Sequence, residues 1–322
     1  MSADRYTGCL ALGALLIVSA CQSSTEPGQQ PVRHPLGVVT DSIPIGLRPY
    51  GIAMSGPFAI VTQLDGAQVV RLDAANSRVL DSVRVGNVPT GIRYLSNATS
   101  AAVTNQMDGT IGFLDFSAMQ QTSVVNGPST TFRVLTSHDG KHLYATASSG
   151  SLGIIALPSH AVEASVTVGG APNGLGLSPD GATLYVSAMT GGISIVNTVT
   201  RTVTGTISLP GALQDVAVSS DGSELYVASE SGNAIHILDA KAGTIKTSIS
   251  MSGPVFGLSL TPDGTQLYAT SPETGQIWII DRLSRSLVKT LAVGGMPRRI
   301  AFDQAGSRAA VSNEAGYVNI IQ

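Results

Sequence analysis

The chain has 322 residues and a formal net charge of −3, with only 12% of its residues charged and 5% aromatic. Its 36 glycines and 16 prolines mark frequent turns, a composition of uncharged, strand-rich chains rather than disordered ones. The 18 lysines and arginines are spread along the length, which argues against a nucleic-acid-binding surface.

In chain order, a polar stretch with one base, Arg5, precedes the uninterrupted apolar and small run CLALGALLIVSA from Cys9 to Ala20. As a helix this run would span about 18 Å, too short for a bilayer core of about 30 Å. It reads as the core of a signal peptide over residues 1–20. The run ends in Val18-Ser19-Ala20-Cys21, which resembles the lipobox of bacterial lipoproteins, in which the cysteine is acylated and becomes N-terminal. Cys9 would leave with the signal, so only Cys21 would remain and no internal disulfide is expected. The polar QSSTEPGQQPVRHP segment that follows places a flexible tether at 21–37, holding the body off a membrane. Gln22 after the cysteine, rather than Asp, implies by the same resemblance an outer-membrane destination where the source has two membranes.

Residues 38–322 are a repeat array. The phrase VGGAPNGLGLSPDGATLYVSAMTGGISIVN from Val168 to Asn197 recurs as TSHDGKHLYATA, VSSDGSELYVAS and LTPDGTQLYATS, with weaker copies near Ser55, Ser96 and Asp303. The residues closing its third strand are Asp73, Asp115, Ala156, Asn197, Asp239, Asp281 and Gln322, at intervals of 42, 41, 41, 42, 42 and 41. A period sustained to the last residue excludes a two-domain reading. Each unit holds four short strand signals separated by turns, and Asp-Gly at 139–140, 180–181, 221–222 and 263–264 supplies the positive φ that tight hairpins need. The pattern predicts an all-β, seven-bladed propeller with four antiparallel strands per blade. The last unit lacks a fourth strand, and VVTDSIPIG, from Val38 to Gly46, is an orphan copy of it, so the N-terminal segment is expected to complete the last blade.

The innermost strands are expected to begin near Tyr50, Thr90, Phe132, Asn173, Gln214, Phe256 and Arg298. The next position is Gly51, Gly91, Arg133, Gly174, Asp215, Gly257 and Arg299, where crowding near the axis favours glycine. Arg133, Asp215 and Arg299 depart from that rule. With Arg48, Tyr50, Phe132, Asn173, Gln214, Phe256 and Arg298 they define a candidate ligand-binding mouth, cationic and aromatic, suited to a carboxylate or phosphate with an apolar part. The alternative is a solvated rim whose arginines pair with acids such as Asp65, Asp108, Glu230, Glu273 and Glu314. Two positions further on, Arg93 breaks a row of otherwise uncharged residues and marks a ligand site or a structural ion pair. His34, His138, His142, His160 and His236 show no metal-ligand spacing, and His138 and His142 belong to the face opposite the mouth. No catalytic set, metal site or cofactor motif is found, and Asp180, Asp221 and Asp263 recur as turn formers.

The phrase in VTVGGAPNGLGLSPDGATLYVSA resembles the YVTN-type repeat of exported propellers, within the lactonase-like seven-bladed group, over Val38 to Gln322. The single tryptophan, Trp278, and the absence of a Trp-Asp pair set it apart from WD-repeat propellers. The resemblance implies a fold, because its motif residues are turn and core residues shared by members with different roles. The expected function is that of a membrane-anchored, monomeric, non-catalytic scaffold binding a protein, polysaccharide or small ligand. A lactonase-like hydrolase acting at the mouth is the alternative. A redox quinoprotein is disfavoured by the single tryptophan.

Overall fold

A computed structural model of the chain describes residues 37–96 and 98–322. The signal segment, Cys21, His34 and the tether up to residue 36 lie outside the described residues. All regular structure described is β-strand: 28 strands, numbered β1–β28 in chain order, make seven antiparallel sheets of four strands. The innermost strands are β2 (Pro49–Ser55), β6 (Pro89–Tyr94), β10 (Thr131–Thr136), β14 (Pro172–Leu177), β18 (Leu213–Val218), β22 (Leu258–Leu260) and β26 (Pro297–Phe302). They begin within two residues of the positions expected from the repeat.

Burial within a blade follows from its neighbours. In the first blade, β3 (Phe58–Gln63) and β4 (Gln68–Asp73) are almost wholly buried, because blades cover them on both faces. The outer β5 (Arg78–Arg84) meets solvent and keeps only Val83 fully inside. The core is thus a series of seams between blades: Ile60, Val69 and Val83 of the first blade pack against Ile92, Val103 and Leu114 of the second. Each such aliphatic side chain contributes about 1.5–3 kcal/mol on burial.

The ring closes with an N-terminal strand. β1 (Val39–Pro44) pairs antiparallel with β28 (Tyr317–Ile321), giving the sheet order β1-β28-β27-β26, where β27 is Ala309–Asn313. Ile43 lies opposite Val318 and enters the same apolar cluster as Val318 and Ile320. The Val38 amide donates to the Gln322 carbonyl at 2.8 Å and receives the reciprocal bond at 2.9 Å.

A second device ties blade to blade. On the second strand of most blades a buried hydroxyl accepts the amide of the glycine-row residue on its own innermost strand and donates to the innermost strand of the next blade. Thr104 accepts from Gly91 at 2.7 Å and donates to the Phe132 carbonyl at 2.8 Å. Thr62, Thr146 and Thr270 repeat both bonds. Ser312 carries the pattern across the closure, accepting from Arg299 and donating to the Tyr50 carbonyl.

Candidate functional site

The innermost strands place successive residues around the axis in layers. Where β2, β6, β10, β14, β18 and β26 begin, the register against the second strand shifts, so that each carries a bulge at its first ring positions. A bulge re-aims a side chain that plain alternation would turn away. This is how neighbours such as Arg298 and Arg299 both act at the axis.

The outermost layer is closed. Tyr50 stands edge-on to Phe132 and Phe256, with ring centroids 5.9 and 6.2 Å apart. Phe256 is held between Arg298, 4.6 Å from its centroid, and Arg299, 4.5 Å from it. Arg298 donates to Glu314 at 2.5 Å, and Arg48 reaches Glu314 at 2.7 Å and Asp65 at 3.5 Å. Asn173 and Gln214, both buried, bond to each other, and Gln214 also bonds to Glu230. The end of the axis expected to be open is therefore a plug. Of the five acids expected to pair with the arginines of a solvated rim, Asp65 and Glu314 do so there, and Glu230 accepts from Gln214 instead.

Beneath the plug lies a buried charge cluster. Asp215 accepts from Arg299 Nη1 at 2.8 Å and from Arg133 Nη2 at 3.1 Å. The amides of Val216 and Leu258 complete its shell at 3.1 and 3.2 Å. β22 is the shortest innermost strand, although just before it Phe256 donates to the Thr270 carbonyl and Thr270 to that of Gly257. Arg299 also donates to Asn173 at 3.2 Å, while its Nε has no partner. Burial, and then the charge of Arg299, push the Arg133 guanidinium down to about 10, against the pull of Asp215, so it remains cationic at neutral pH.

Below the cluster the axis opens into a cavity of about 720 Å³. Arg133 and Asp215 form part of its floor, Arg93 stands on its wall, and Ser55, Ser96 and His138 lie toward its opening at the SPDG-type turns. Ile52, Ile92, Leu175, Leu258 and Phe302 supply apolar wall. Asp215 is the only acid lining it among the described residues. Among the described residues Arg93 has no ion pair or hydrogen bond from its side chain; it is exposed into the cavity, and desolvation by the surrounding wall lowers its guanidinium from the ordinary range.

Of the eleven candidate mouth residues, the structure brings Arg93, Arg133 and Asp215 to the cavity. Tyr50, Phe132, Asn173, Gln214, Phe256, Arg298 and Arg299 form the plug and the layer behind the floor, and Arg48 lies outside on the acid rim. His138 stands by the opening with Nε2 2.9 Å from the Ser178 carbonyl oxygen, whereas His142 pairs with Glu163 at 3.2 Å. His160 stacks on Phe113, and His236 bonds Ser248. The stitching hydroxyls were missed by sequence reasoning, although Thr146, Ser187 and Thr270 occupy one register in the repeat phrase.

The architecture is shared with a solved structure titled Kuenenia stuttgartiensis hydrazine synthase, at a TM-score of 0.79 and 19% identity, over 92% of this chain and 99% of that one. At that identity the likeness speaks for the fold alone. No family model and no curated protein matches the chain.

Proposed function

We propose that the chain is a cell-envelope lipoprotein of the YVTN-repeat type, acylated at Cys21 and tethered through residues 22–37, whose propeller is a non-catalytic binding scaffold. The observation that carries the binding reading is the one-ended cavity, closed by the Tyr50, Phe132 and Phe256 plug and accessible from the turn face. Its volume lies within the range of about 300–1,000 Å³ used by small-molecule sites. A lactonase-like reaction would call on a free base, and the acid in the cavity is fully engaged. Asp215 already accepts from two guanidiniums and two main-chain amides, which leaves it suited to holding arginines in place.

The anchor is tested by growing cells with labelled palmitate and separating membranes from soluble protein. The wild type is expected to carry label and sediment with membranes, and Cys21→Ser to be unlabelled and soluble. An unlabelled wild type, or a Cys21→Ser chain that still sediments, overturns the anchor.

A further inference from the structure

Arg93 is the charge that the fold does not explain. The equivalent positions on the other six innermost strands are Ala53, Leu135, Gly176, Ala217, Ser259 and Ala301, all uncharged, so the ring needs no cation in this layer. Every other arginine near the axis has an acid: Arg48 and Arg298 share Glu314, and Arg133 and Arg299 share Asp215. Arg93 has none. Asp215 cannot serve it, since both carboxylate oxygens are already occupied. Arg93 and Arg133 at the cavity, with Arg299 behind its floor, thus set three guanidiniums against one carboxylate. Arg93 is exposed into the cavity, so its guanidinium is free to meet an anion entering from the turn face, and leaving water there favours a paired charge over a bare one.

We propose that the axial cavity binds a small organic monocarboxylate, with Arg93 holding the carboxylate, Arg133 adding positive charge from the floor, and the apolar wall taking the rest of the ligand. This deepens the binding-scaffold reading above and rests on it. Among the described residues Arg93 is the one guanidinium there without an acceptor in the chain, and a single carboxylate supplies it. The further positive charge held by Arg133 and Arg299 on Asp215 adds to the field at the floor. The planar fork of Arg93 fits the two coplanar oxygens of a carboxylate. Ile52, Ile92, Leu175, Leu258 and Phe302 offer contact to an apolar body, beside a polar lining that includes Ser96, Thr136, His138 and Ser259.

Phenylacetate is a probe of this class, and 2-phenylethanol is its neutral counterpart. The full-length lipoprotein in detergent is titrated with each by calorimetry. Phenylacetate is expected to saturate one site, and the alcohol to give no saturable heat. Arg93→Gln should weaken phenylacetate by about tenfold or more, as loss of a charge-assisted pair does. Arg84→Gln, on the exposed outer strand of the first blade, should leave binding unchanged. Arg93→Lys keeps the charge without the fork; it is the variant to read if Arg93→Gln does not fold, and it should weaken binding severalfold. No saturable binding to the wild type, or unchanged affinity in either Arg93 variant, overturns the site. Recovery of phenylacetate and of phenylacetate methyl ester intact after incubation agrees with a scaffold, whereas hydrolysis of the ester would overturn the non-catalytic reading and leave the carboxylate site standing.

Discussion

Asp215 and Arg299 are each about 2% exposed, and the carboxylate between two guanidiniums keeps either arginine from being a bare buried charge. Breaking such a pair from one side costs about 3–5 kcal/mol, because the other ion stays behind. Asp215→Asn should therefore lower the unfolding free energy read from urea titration by that order, and the midpoint with it, whereas Arg133→Gln, whose side chain is partly exposed, should cost less. Equal midpoints for Asp215→Asn and wild type would show that the cluster adds nothing to stability. Thr104→Val tests the stitch between blades: it keeps the shape but leaves the Gly91 amide without its acceptor, for a loss of about 1–3 kcal/mol. Substituting Gly91 itself should also destabilise, since a Cβ there would stand 2.5 Å from the Phe132 carbonyl oxygen. A retained melting temperature in Gly91→Ala would show that the axis has more room than the packing indicates. Much of this was legible, since Arg133, Asp215 and Arg299 stand out in a row of glycines. Their pairing was not, because Arg133 and Asp215 are 82 residues apart and meet only once the ring has closed.

The recurrent turn shows what a short element contributes. In the third, fourth and fifth blades a serine hydroxyl donates to the aspartate two residues on, and that carboxylate accepts a main-chain amide two residues beyond itself. Only the following glycine takes positive φ, as at Gly140, Gly181 and Gly222. The Asp-Gly pair was readable from the sequence as a turn, but the aspartate's role as an acceptor follows from the serine before it. Serine hydroxyl bonds first, then main-chain bonds, hold the carboxyls of Asp139, Asp180 and Asp221 below the ordinary range. A carboxyl depressed in the folded state adds stability above its unfolded pKa of about 3.9, and that stability is lost as pH falls through the folded value. Unfolding midpoints should therefore be flat from about pH 7 to pH 5 and fall below about pH 4. Asp221→Asn, combined with the same change at Asp139 and Asp180, should flatten that fall. If the triple variant shows the wild-type acid slope, the turns are not its source.

At the scale of the molecule, the direction of the axis is the part that repeat counting does not reach. The 41- and 42-residue intervals define seven blades, but which end of the ring is sealed depends on bulky side chains from three separated blades meeting at Tyr50, Phe132 and Phe256. Closure, in contrast, was legible as an orphan strand at one end of the chain and a missing one at the other. Its consequence is global, because every blade relies on two neighbours to cover its faces. Deleting residues 1–44 removes β1, uncovers the edge of β28 and takes Ile43 out of its cluster with Val318 and Ile320. The buried isoleucine alone is worth about 1.5–3 kcal/mol, and in a chain of this size each kcal/mol moves the melting temperature by about 2–4 °C. The deletion should lower it by at least about 5 °C, while a chain beginning at Val38, which keeps the strand, should melt with the full protein. A synthetic VVTDSIPIG peptide added in excess should recover part of the loss, since the vacant edge and pocket would be those the strand normally fills. Calorimetric scans of the two truncations, with and without peptide, decide the matter: identical melting of the deletion and the full chain would mean that six blades and three strands hold the ring without its closing strand.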